Sequence, residues 1–264
     1  MPELPDVEIF KQYLDATALH KDIETVDLRA QDMLKGVSER KLKQRLKNSS
    51  LRSSRRHGKF LFAQAGDNGW LLLHFGMTGA LKYFKNPEKD TDHDRLSLGF
   101  SNGYHLAFDC RRKLGEIGWV DDPRTFIQER AMGPDAMDSD LDPDTFKKIL
   151  GRSRGAVKGA LMNQRMIAGI GNVYADEILF QAGIHPKIKV NQLETERLER
   201  LFRVMREQVL PTAIECRADP SEFPDDFIVP HRQKDGRCPK CGHQLQQVKV
   251  SGRTSYACPD CQSR

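Results

Sequence analysis

The sequence lacks the long apolar segments that membrane proteins carry. Across its 264 residues, no apolar run approaches the length of about 18 residues that a membrane-spanning helix needs. The opening MPELPDVEIF has neither a basic n-region nor a long apolar h-region, so we expect no secretory signal. These absences exclude a membrane protein, and they favour a cytoplasmic one.

Cysteine is scarce, and the six cysteines do not form the framework of a disulfide-rich secreted domain. Cys110 and Cys216 are isolated, and we expect ordinary buried thiols at both positions. The other four form two CxxC pairs separated by sixteen residues: Cys238 and Cys241, then Cys258 and Cys261. That spacing is typical of a four-thiolate zinc site, because each CxxC turn presents two sulfurs to one tetrahedral ion. Four protein ligands leave no position for water, so we predict one structural Zn²⁺ and no catalytic metal.

Acidic residues are missing from the stretch 40–59, which contains nine Lys or Arg. Five Asp are concentrated instead between Pro134 and Asp144, in a Pro-containing stretch typical of a connector between domains. A net charge of +5 distributed in this way creates a basic face that can neutralise phosphates and release counterions. The pattern favours nucleic acid as a partner, although an ordinary solvated surface is the alternative for the basic run alone.

The first half of the sequence predicts a β-rich domain. Apolar positions after Pro5 recur at helical spacing and predict a short helix at the start. From Lys59 to about Val120, short apolar runs are separated by Gly, Asn and Asp, a pattern typical of strands. Asn102 and Gly103 lie between two of these runs and favour a tight hairpin.

The second half predicts helices followed by a hairpin. One long helix carries its apolar face at Leu198, Leu201, Phe202, Met205 and Val209. We expect Pro211 to stop or kink this helix. A Gly-rich turn from Ala168 precedes a helix that begins near Val173, and the last thirty or so residues predict a zinc hairpin with Gly252 and Arg253 at its tip.

Two residues at the amino terminus are candidates for catalysis. If Met1 is removed, Pro2 exposes a secondary amine at the chain end. A free α-amino group has a pKa of about 7.7–8, against about 10.4 for lysine, so much of it is unprotonated at neutral pH and can attack a sugar carbon. The carboxyl group of Glu3 lies beside that amine and can transfer protons. Taken alone, a proline at position 2 is common and a terminal acid is usually solvated.

Three residues of the second half are candidates for binding phosphate. Backbone amides of the glycine turn can approach a phosphate at a helix start, and the Asn172 side chain adds a donor. Lys158, one helix earlier, can add a charge, with a plain surface lysine as the alternative. The hairpin tip can deliver the Arg253 guanidinium to phosphates or the minor groove, with a purely structural hairpin as the alternative.

Three motifs, in the same order, resemble those of the formamidopyrimidine-DNA glycosylase and endonuclease VIII family, and most closely its formamidopyrimidine branch. PELPDVE resembles that family's PELPEVE, QRMIAGIGNVYADEILFQAGIHP resembles its helix-two-turns-helix motif, and SGRTSYACPDCQ resembles its zinc finger. The resemblance covers essentially the whole chain. It implies an α+β multidomain fold, with an N-terminal β-sandwich and flanking helices at 1–125, a linker at 126–145, a helix-two-turns-helix domain at 146–230 and a zinc finger hairpin at 231–264.

The resemblance also implies a function. We expect a bifunctional DNA glycosylase and AP lyase of base excision repair, acting on oxidised purines through a Schiff base at Pro2 and β,δ-elimination, with formamidopyrimidines as the first substrates and 8-oxoguanine as a further candidate. The implied catalytic group is Pro2 as nucleophile, Glu3 as general acid/base, Lys59 beside the damaged nucleotide and Arg253 on a phosphate. The implied DNA-binding residues are Lys158 and Asn172, with Met77, Arg112 and Leu114 as the wedge that fills the space left by a flipped nucleotide. Met77 and Leu114 would also suit an ordinary core.

The expected partner is double-stranded DNA with oxidised bases or abasic sites, bound by a monomer that needs no organic cofactor. The sequence departs from the family at Asp6, where Glu is usual, and at Leu114, where Phe is usual. The segment between Cys216 and Cys238 is shorter than the family's lesion-capping loop. Two alternatives therefore stay open: an endonuclease VIII-like preference for oxidised pyrimidines or hydantoins, and a nonenzymatic protein that binds damaged DNA.

Overall fold

Residues 1–67, 69–86 and 92–262 are described by a computed structural model. The contacts divide the chain into two units. The first comprises Met1–Pro2 and Asp6–Arg130, and the second comprises Glu3–Pro5 and Ala131–Arg264. No helix in the described part of the chain is long and apolar enough to cross a membrane.

Strands dominate the first unit and helices the second. The strands are β1 (Ile23–Leu28), β2 (Leu34–Lys35), β3 (Leu51–His57), β4 (Phe60–Ala65), β5 (Trp70–His74), β6 (Gly79–Phe84), β7 (Asp94–Phe100), β8 (His105–Cys110), β9 (Glu116–Val120), β10 (Gln246–Val250) and β11 (Arg253–Ala257). The α-helices are α1 (Leu4–Thr17), α2 (Glu39–Leu46), α3 (Pro123–Glu129), α4 (Pro143–Leu150), α5 (Val157–Leu161), α6 (Asn172–Ala182), α7 (Thr195–Arg203) and α8 (Leu210–Glu215). Short 3₁₀ segments lie at Gln31–Met33, Val190–Gln192 and Val229–His231.

Two sheets form the first unit. One has the strand order β1-β7-β8-β6 and is antiparallel throughout; the other has the order β2-β9-β5-β4-β3, with β2 and β9 parallel. Apolar side chains of both sheets belong to one buried cluster, among them Leu61, Leu71 and Ile117 from the second sheet and Leu81, Leu98 and Phe108 from the first. Two sheets that share one core in this way form a sandwich, as expected.

The strands β4, β5, β7 and β8 lie where the apolar runs predict them, and β6 and β9 fall within the same stretch from Lys59 to Val120. The expected hairpin joins β7 to β8, and Gly103 has a φ of 76° in its turn. The strands β1 to β3 were not predicted. β1 reads IETVDL and β3 reads LRSSRRH, and both lie at a sheet edge, where polar side chains meet solvent. Their apolar content is therefore too low for a pattern-based prediction.

The second unit packs its helices around α6. Every residue of α6 from Tyr174 to Ala182 is buried, including the charged pair Asp176 and Glu177. The predicted apolar face of the long helix is buried as well. Pro211 does not stop that helix: α7 continues through a π-helical segment at Val204–Val209 into α8. The wider π-helical turn does not require the backbone N–H that proline lacks. The chain therefore stays helical through Pro211.

The carboxyl-terminal hairpin has a two-residue turn. Val250 pairs with Arg253, and the turn residues Ser251 and Gly252 both have positive φ, at 49° and 75°. Two positive φ values are the signature of a type I′ turn, whose twist matches that of the strands it joins. Arg253 is thus the first residue after the turn and is exposed, as the sequence predicts.

Candidate active site and DNA interface

The Glu3 carboxylate lies against the amino terminus of α6. It is fully buried, and it accepts hydrogen bonds from the backbone N–H groups of Gly171 at 2.7 Å, Val173 at 2.9 Å and Tyr174 at 3.2 Å. The first N–H groups of a helix have no partner within the helix, and the helix dipole favours a negative charge there. One acid at position 3 therefore fixes the start of α6, and the helix in turn fixes the acid.

The glycine turn before α6 is shaped by close packing rather than by flexibility. Gly169 has a φ of 110°, and a Cβ added there would lie 2.5 Å from the Leu4 side chain. The Leu4 N–H donates to the Gly169 carbonyl at 3.0 Å. Any larger residue would displace the segment that carries Glu3, so glycine is required at this position.

The Lys158 ammonium is enclosed and does not lie on the surface. It pairs with Asp176 at 2.7 Å, donates to the Asn172 side-chain oxygen at 2.7 Å, and donates to the Ser255 hydroxyl. An ammonium group has three protons, so all of them have acceptors here. Burial lowers the pKa of Lys158, and the neighbouring Asp176 opposes that shift. Lys158 thereby orients the Asn172 amide, whose nitrogen donates to the Thr254 carbonyl at 3.2 Å.

Asp176 is the residue of this network that sequence reasoning missed. Its fully buried carboxylate also receives the Arg232 guanidinium, at 2.8 Å and 3.1 Å, and the Tyr256 N–H at 3.2 Å. A signal for Asp176 exists in the sequence: two acids interrupt an otherwise apolar helix in YADEILF. Nothing in the sequence indicates Arg232, since its partner lies 56 residues away.

The four cysteines of the two CxxC pairs come together, with all their sulfurs within 4.8 Å of one another. The Sγ atoms of Cys238 and Cys261 are 3.7 Å apart, and those of Cys241 and Cys258 are 3.4 Å apart. Sulfurs bound at about 2.3 Å to one tetrahedral ion would be about 3.8 Å apart. The cluster therefore fits Zn²⁺, and it holds the base of the hairpin that carries Arg253.

In the first unit, Lys59 lies in the tight turn between β3 and β4, where it is half-buried. The neighbouring Arg56 donates to the Glu8 carboxylate at 2.8 Å and to the Gly58 carbonyl at 3.1 Å. This ion pair fixes the turn from inside, because the Arg56 side chain is only 8% exposed. Glu8 has a positioning role that the sequence did not reveal. Pro2 belongs to this unit and is half-buried, whereas Met1 is exposed.

A histidine that sequence reasoning missed lies near Lys59. His74 ends β5, packs on Phe60 with ring centroids 4.8 Å apart, and accepts from the Gly76 N–H at 3.3 Å. Burial lowers the pKa of His74, the Glu116 carboxylate opposes that shift, and the Lys59 ammonium adds to it. A neutral imidazole in this place adds no second positive charge beside Lys59.

The three predicted wedge residues lie on two neighbouring loops of the first unit. Met77 is 42% exposed in the β5–β6 loop, and Leu114 is 51% exposed in the β8–β9 loop. The loops touch through the Arg112 N–H, which donates to the Thr78 hydroxyl at 3.2 Å, and Arg112 is exposed as well. Neither apolar side chain is part of the core. Exposed apolar groups on loop tips are suited to insertion between bases.

Three family models match consecutive parts of the chain. They are the formamidopyrimidine-DNA glycosylase N-terminal domain at residues 1–117, the formamidopyrimidine-DNA glycosylase H2TH domain at 132–225, and a zinc finger found in FPG and IleRS at 236–264. These matches confirm the expected fold and, with the cysteine cluster, the single structural zinc ion.

Relatives and solved structures match over the full length. The formamidopyrimidine-DNA glycosylase of Geobacter metallireducens is 34% identical over 271 residues, covering 100% of both chains. That of Pelobacter propionicus is 32% identical, covering 99% of this chain and 100% of the relative. The wild-type Lactococcus lactis enzyme with N7-benzyl-Fapy-dG-containing DNA has a TM-score of 0.90 at 27% identity, covering 100% of both chains. The same bacterium's enzyme bound to abasic-site DNA has a TM-score of 0.88 at 27% identity, covering 99% of this chain and 100% of that one.

The fold and the zinc-finger matches define a DNA-binding glycosylase of base excision repair. The chain belongs to the formamidopyrimidine-DNA glycosylase family.

Proposed function

We propose that the chain excises oxidised purines from double-stranded DNA and then cleaves the strand, with Pro2 as the nucleophile. The order of steps follows from the chemistry of a secondary amine. The Pro2 nitrogen attacks C1′ of the flipped nucleotide, the glycosidic bond breaks, and the base leaves with the electron pair. The nitrogen then loses its proton, and the C1′–O4′ bond breaks as O4′ takes up a proton, which opens the sugar ring and leaves an iminium between Pro2 and C1′. The iminium acidifies the proton on C2′, whose loss expels the 3′-phosphate; a second elimination expels the 5′-phosphate.

Glu3 is proposed as the proton-transfer group of this reaction. It follows Pro2 directly in the chain, and its carboxylate is held by three backbone N–H groups of α6. A carboxylate held this firmly can serve a sugar oxygen with little reorganisation, which is the condition for effective general acid/base catalysis. This fixed carboxylate, on the residue that follows the proposed amine in the chain, is the observation that carries the proposal. The exposed Met1 can be removed without disturbing either core.

The other residues are proposed to bind and deform the DNA. Lys59 approaches the damaged nucleotide from its fixed turn, and Met77, Arg112 and Leu114 fill the space that the extruded nucleotide leaves. Arg253 and Asn172 donate to phosphates, and Lys158 acts through the Asn172 amide that it orients. We expect one copy of the chain to act on DNA in the cytoplasm, close to the chromosome.

Borohydride trapping on a duplex with an abasic site tests the Schiff base. The processed wild-type protein is expected to give a covalent adduct, and an amino-blocked protein or a Pro2→Gly variant much less. Mass analysis of the adduct peptide identifies the attached residue. An adduct on a lysine, or full strand cleavage by a protein that retains Met1, would contradict the proposal.

The purine preference is supported by the relatives and opposed by one feature of the chain. Solved relatives are bound to N7-benzyl-Fapy-dG and carbocyclic 8-oxo-G DNA. The segment between Cys216 and Cys238, however, is short and anchored. Phe223 and Phe227 are buried in the helical core, and Arg232 is held by Asp176. That anchoring favours, as a second candidate, a preference for oxidised pyrimidines or hydantoins, because it leaves little chain to cap a purine.

A panel of duplexes, each with one defined lesion, distinguishes the two preferences. Under single-turnover conditions, we expect formamidopyrimidine to be excised fastest. Faster excision of an oxidised pyrimidine or a hydantoin would assign the chain to the second candidate. An undamaged duplex is the control.

A further inference from the structure

Two cations, Lys158 and Arg232, meet the Asp176 carboxylate. Lys158 and Asp176 are both fully buried, and the Arg232 side chain is 12% exposed. The Glu3 carboxylate is also fully buried and acts electrostatically on Lys158, so the two cations face two carboxylates. A phosphate that approaches this network therefore depends on whichever cation still has an N–H group without an acceptor.

The cation that keeps a donor for an added anion is Arg232. All three ammonium protons of Lys158 have protein acceptors, and burial lowers the pKa of that lysine. A guanidinium, in contrast, stays protonated throughout the accessible pH range. Two of the three nitrogens of the Arg232 guanidinium, Nε and Nη2, contact Asp176, and Nη2 also donates to the Asn172 carbonyl at 3.3 Å. Among the described residues, no acceptor lies at Nη1.

Arg232 is placed one helical turn from the amide that is expected to hold a phosphate. Asn172 and Asp176 are four residues apart in α6 and therefore share a face of the helix, about 6 Å apart. The guanidinium also lies over the Tyr256 ring, 5.3 Å from its centroid, so its position is fixed by the zinc hairpin. Asn172 itself is half-exposed. The charge thus lies well within a Debye length of any phosphate at Asn172.

We propose that Arg232 is a further DNA-binding residue: it supplies the permanent positive charge of the phosphate site at Asn172, and Asp176 holds it there. The inference rests on the proposed function, since it takes Asn172 as a phosphate ligand. The buried Lys158 then orients the Asn172 amide. The electrostatic role belongs to Arg232, which lies in the segment that precedes the zinc finger.

The test is the salt dependence of binding to a duplex with a tetrahydrofuran abasic-site analogue. A protein that loses one phosphate contact is expected to lose about 0.9 from the slope of log K against log salt. Arg232→Met should show this loss and bind roughly tenfold more weakly near 0.1 M salt. Arg232→Lys keeps the charge and should keep the wild-type slope. Arg203→Met removes an exposed arginine of α7 and is the matched control for a change in net charge.

Zinc content and thermal midpoint are measured for each variant, so that loss of the fold is recognised. If Arg232→Met loses zinc, Arg232→Gln replaces it, because its amide can still donate to Asp176 without a charge. An unchanged slope in the folded neutral variant overturns the inference, and so does a slope for Arg232→Lys that falls as far as that of the neutral variant. Wild-type protein that neither binds this duplex nor is trapped on an abasic site would instead overturn the proposed function.

Discussion

Replacing Glu3 by Gln is expected to weaken both the helical unit and the reaction. The two carboxylate oxygens divide the three N–H groups of α6 unequally. Oε2 accepts from Gly171 and Tyr174, and Oε1 accepts from Val173. An amide of the same shape keeps one oxygen at the better site, and its NH₂ group then faces the N–H of Val173. At least one buried donor loses its acceptor, and the helix terminus loses a negative charge.

The magnitude follows from these two losses. A buried N–H without an acceptor costs about 1–3 kcal/mol. A charge at a partly buried helix terminus contributes up to about 2 kcal/mol. Together they predict that Glu3→Gln lowers the free energy of unfolding by about 2–4 kcal/mol. For a unit of this size, that corresponds to a fall in the thermal midpoint of roughly 8–16 °C.

The assay combines thermal unfolding with single-turnover base excision at a temperature where both proteins are folded. Loss of a general acid/base group is expected to slow excision by about 10²-fold or more. Glu194→Gln is the matched control, because Glu194 also precedes a helix but is exposed and makes no side-chain capping bond. It should change stability by no more than about 0.5 kcal/mol. If Glu3→Gln has the same thermal midpoint as the control and the wild type, the helix-terminus reasoning is refuted.

Three further outcomes are expected. Burial raises the pKa of Glu177 to about 7 from 4.5, so the folded state holds this proton more tightly than the unfolded chain does. The free energy of unfolding should therefore fall by about 3 kcal/mol as pH rises from 4.5 through 7 and stay level above that. Glu177→Gln should remove this part of the pH dependence in thermal melts at pH 5 and pH 8. An equal change in stability between the two pH values for wild type and variant would contradict the reasoning. Cys258→Ser should lose stoichiometric zinc by metal analysis and weaken DNA binding, whereas Cys216→Ser, outside the cluster, should keep the metal. Gly169→Ala, at a φ of 110° and 2.5 Å from Leu4, should lower the thermal midpoint and slow excision together, and a fully active, equally stable variant would show that the contact can relax.

Local patterns were sufficient for much of the fold. The CxxC spacing predicted the cysteine cluster, the apolar runs predicted β4, β5, β7 and β8, and the carboxyl-terminal segment SGRTSYACPDC predicted the zinc hairpin. Each of these signals is confined to a few neighbouring residues, where turn chemistry and metal geometry act directly. The edge strands were missed because a strand with one polar face to solvent carries little apolar signal of its own.

Side-chain environment was the part that local patterns could not supply. In sequence, Lys158 resembles any surface lysine, and only the packing of α5, α6 and β11 encloses its ammonium. Met77 and Leu114 suit a core as well as a surface, and the loops decided that both are exposed.

The residue types in the cysteine pairs were enough to predict the zinc cluster, because four thiolates at CxxC spacing bind a metal ion by their own chemistry. The reactivity of a terminal secondary amine made Pro2 a candidate nucleophile, and its role stays a prediction. The tertiary structure decided which charged groups are buried and which groups each of them contacts. Glu3 meets a helix start 168 residues away, and Asp176 gathers two cations from distant segments. Burial and pairing at such separations depend on the whole chain being folded, so no window of sequence contains them.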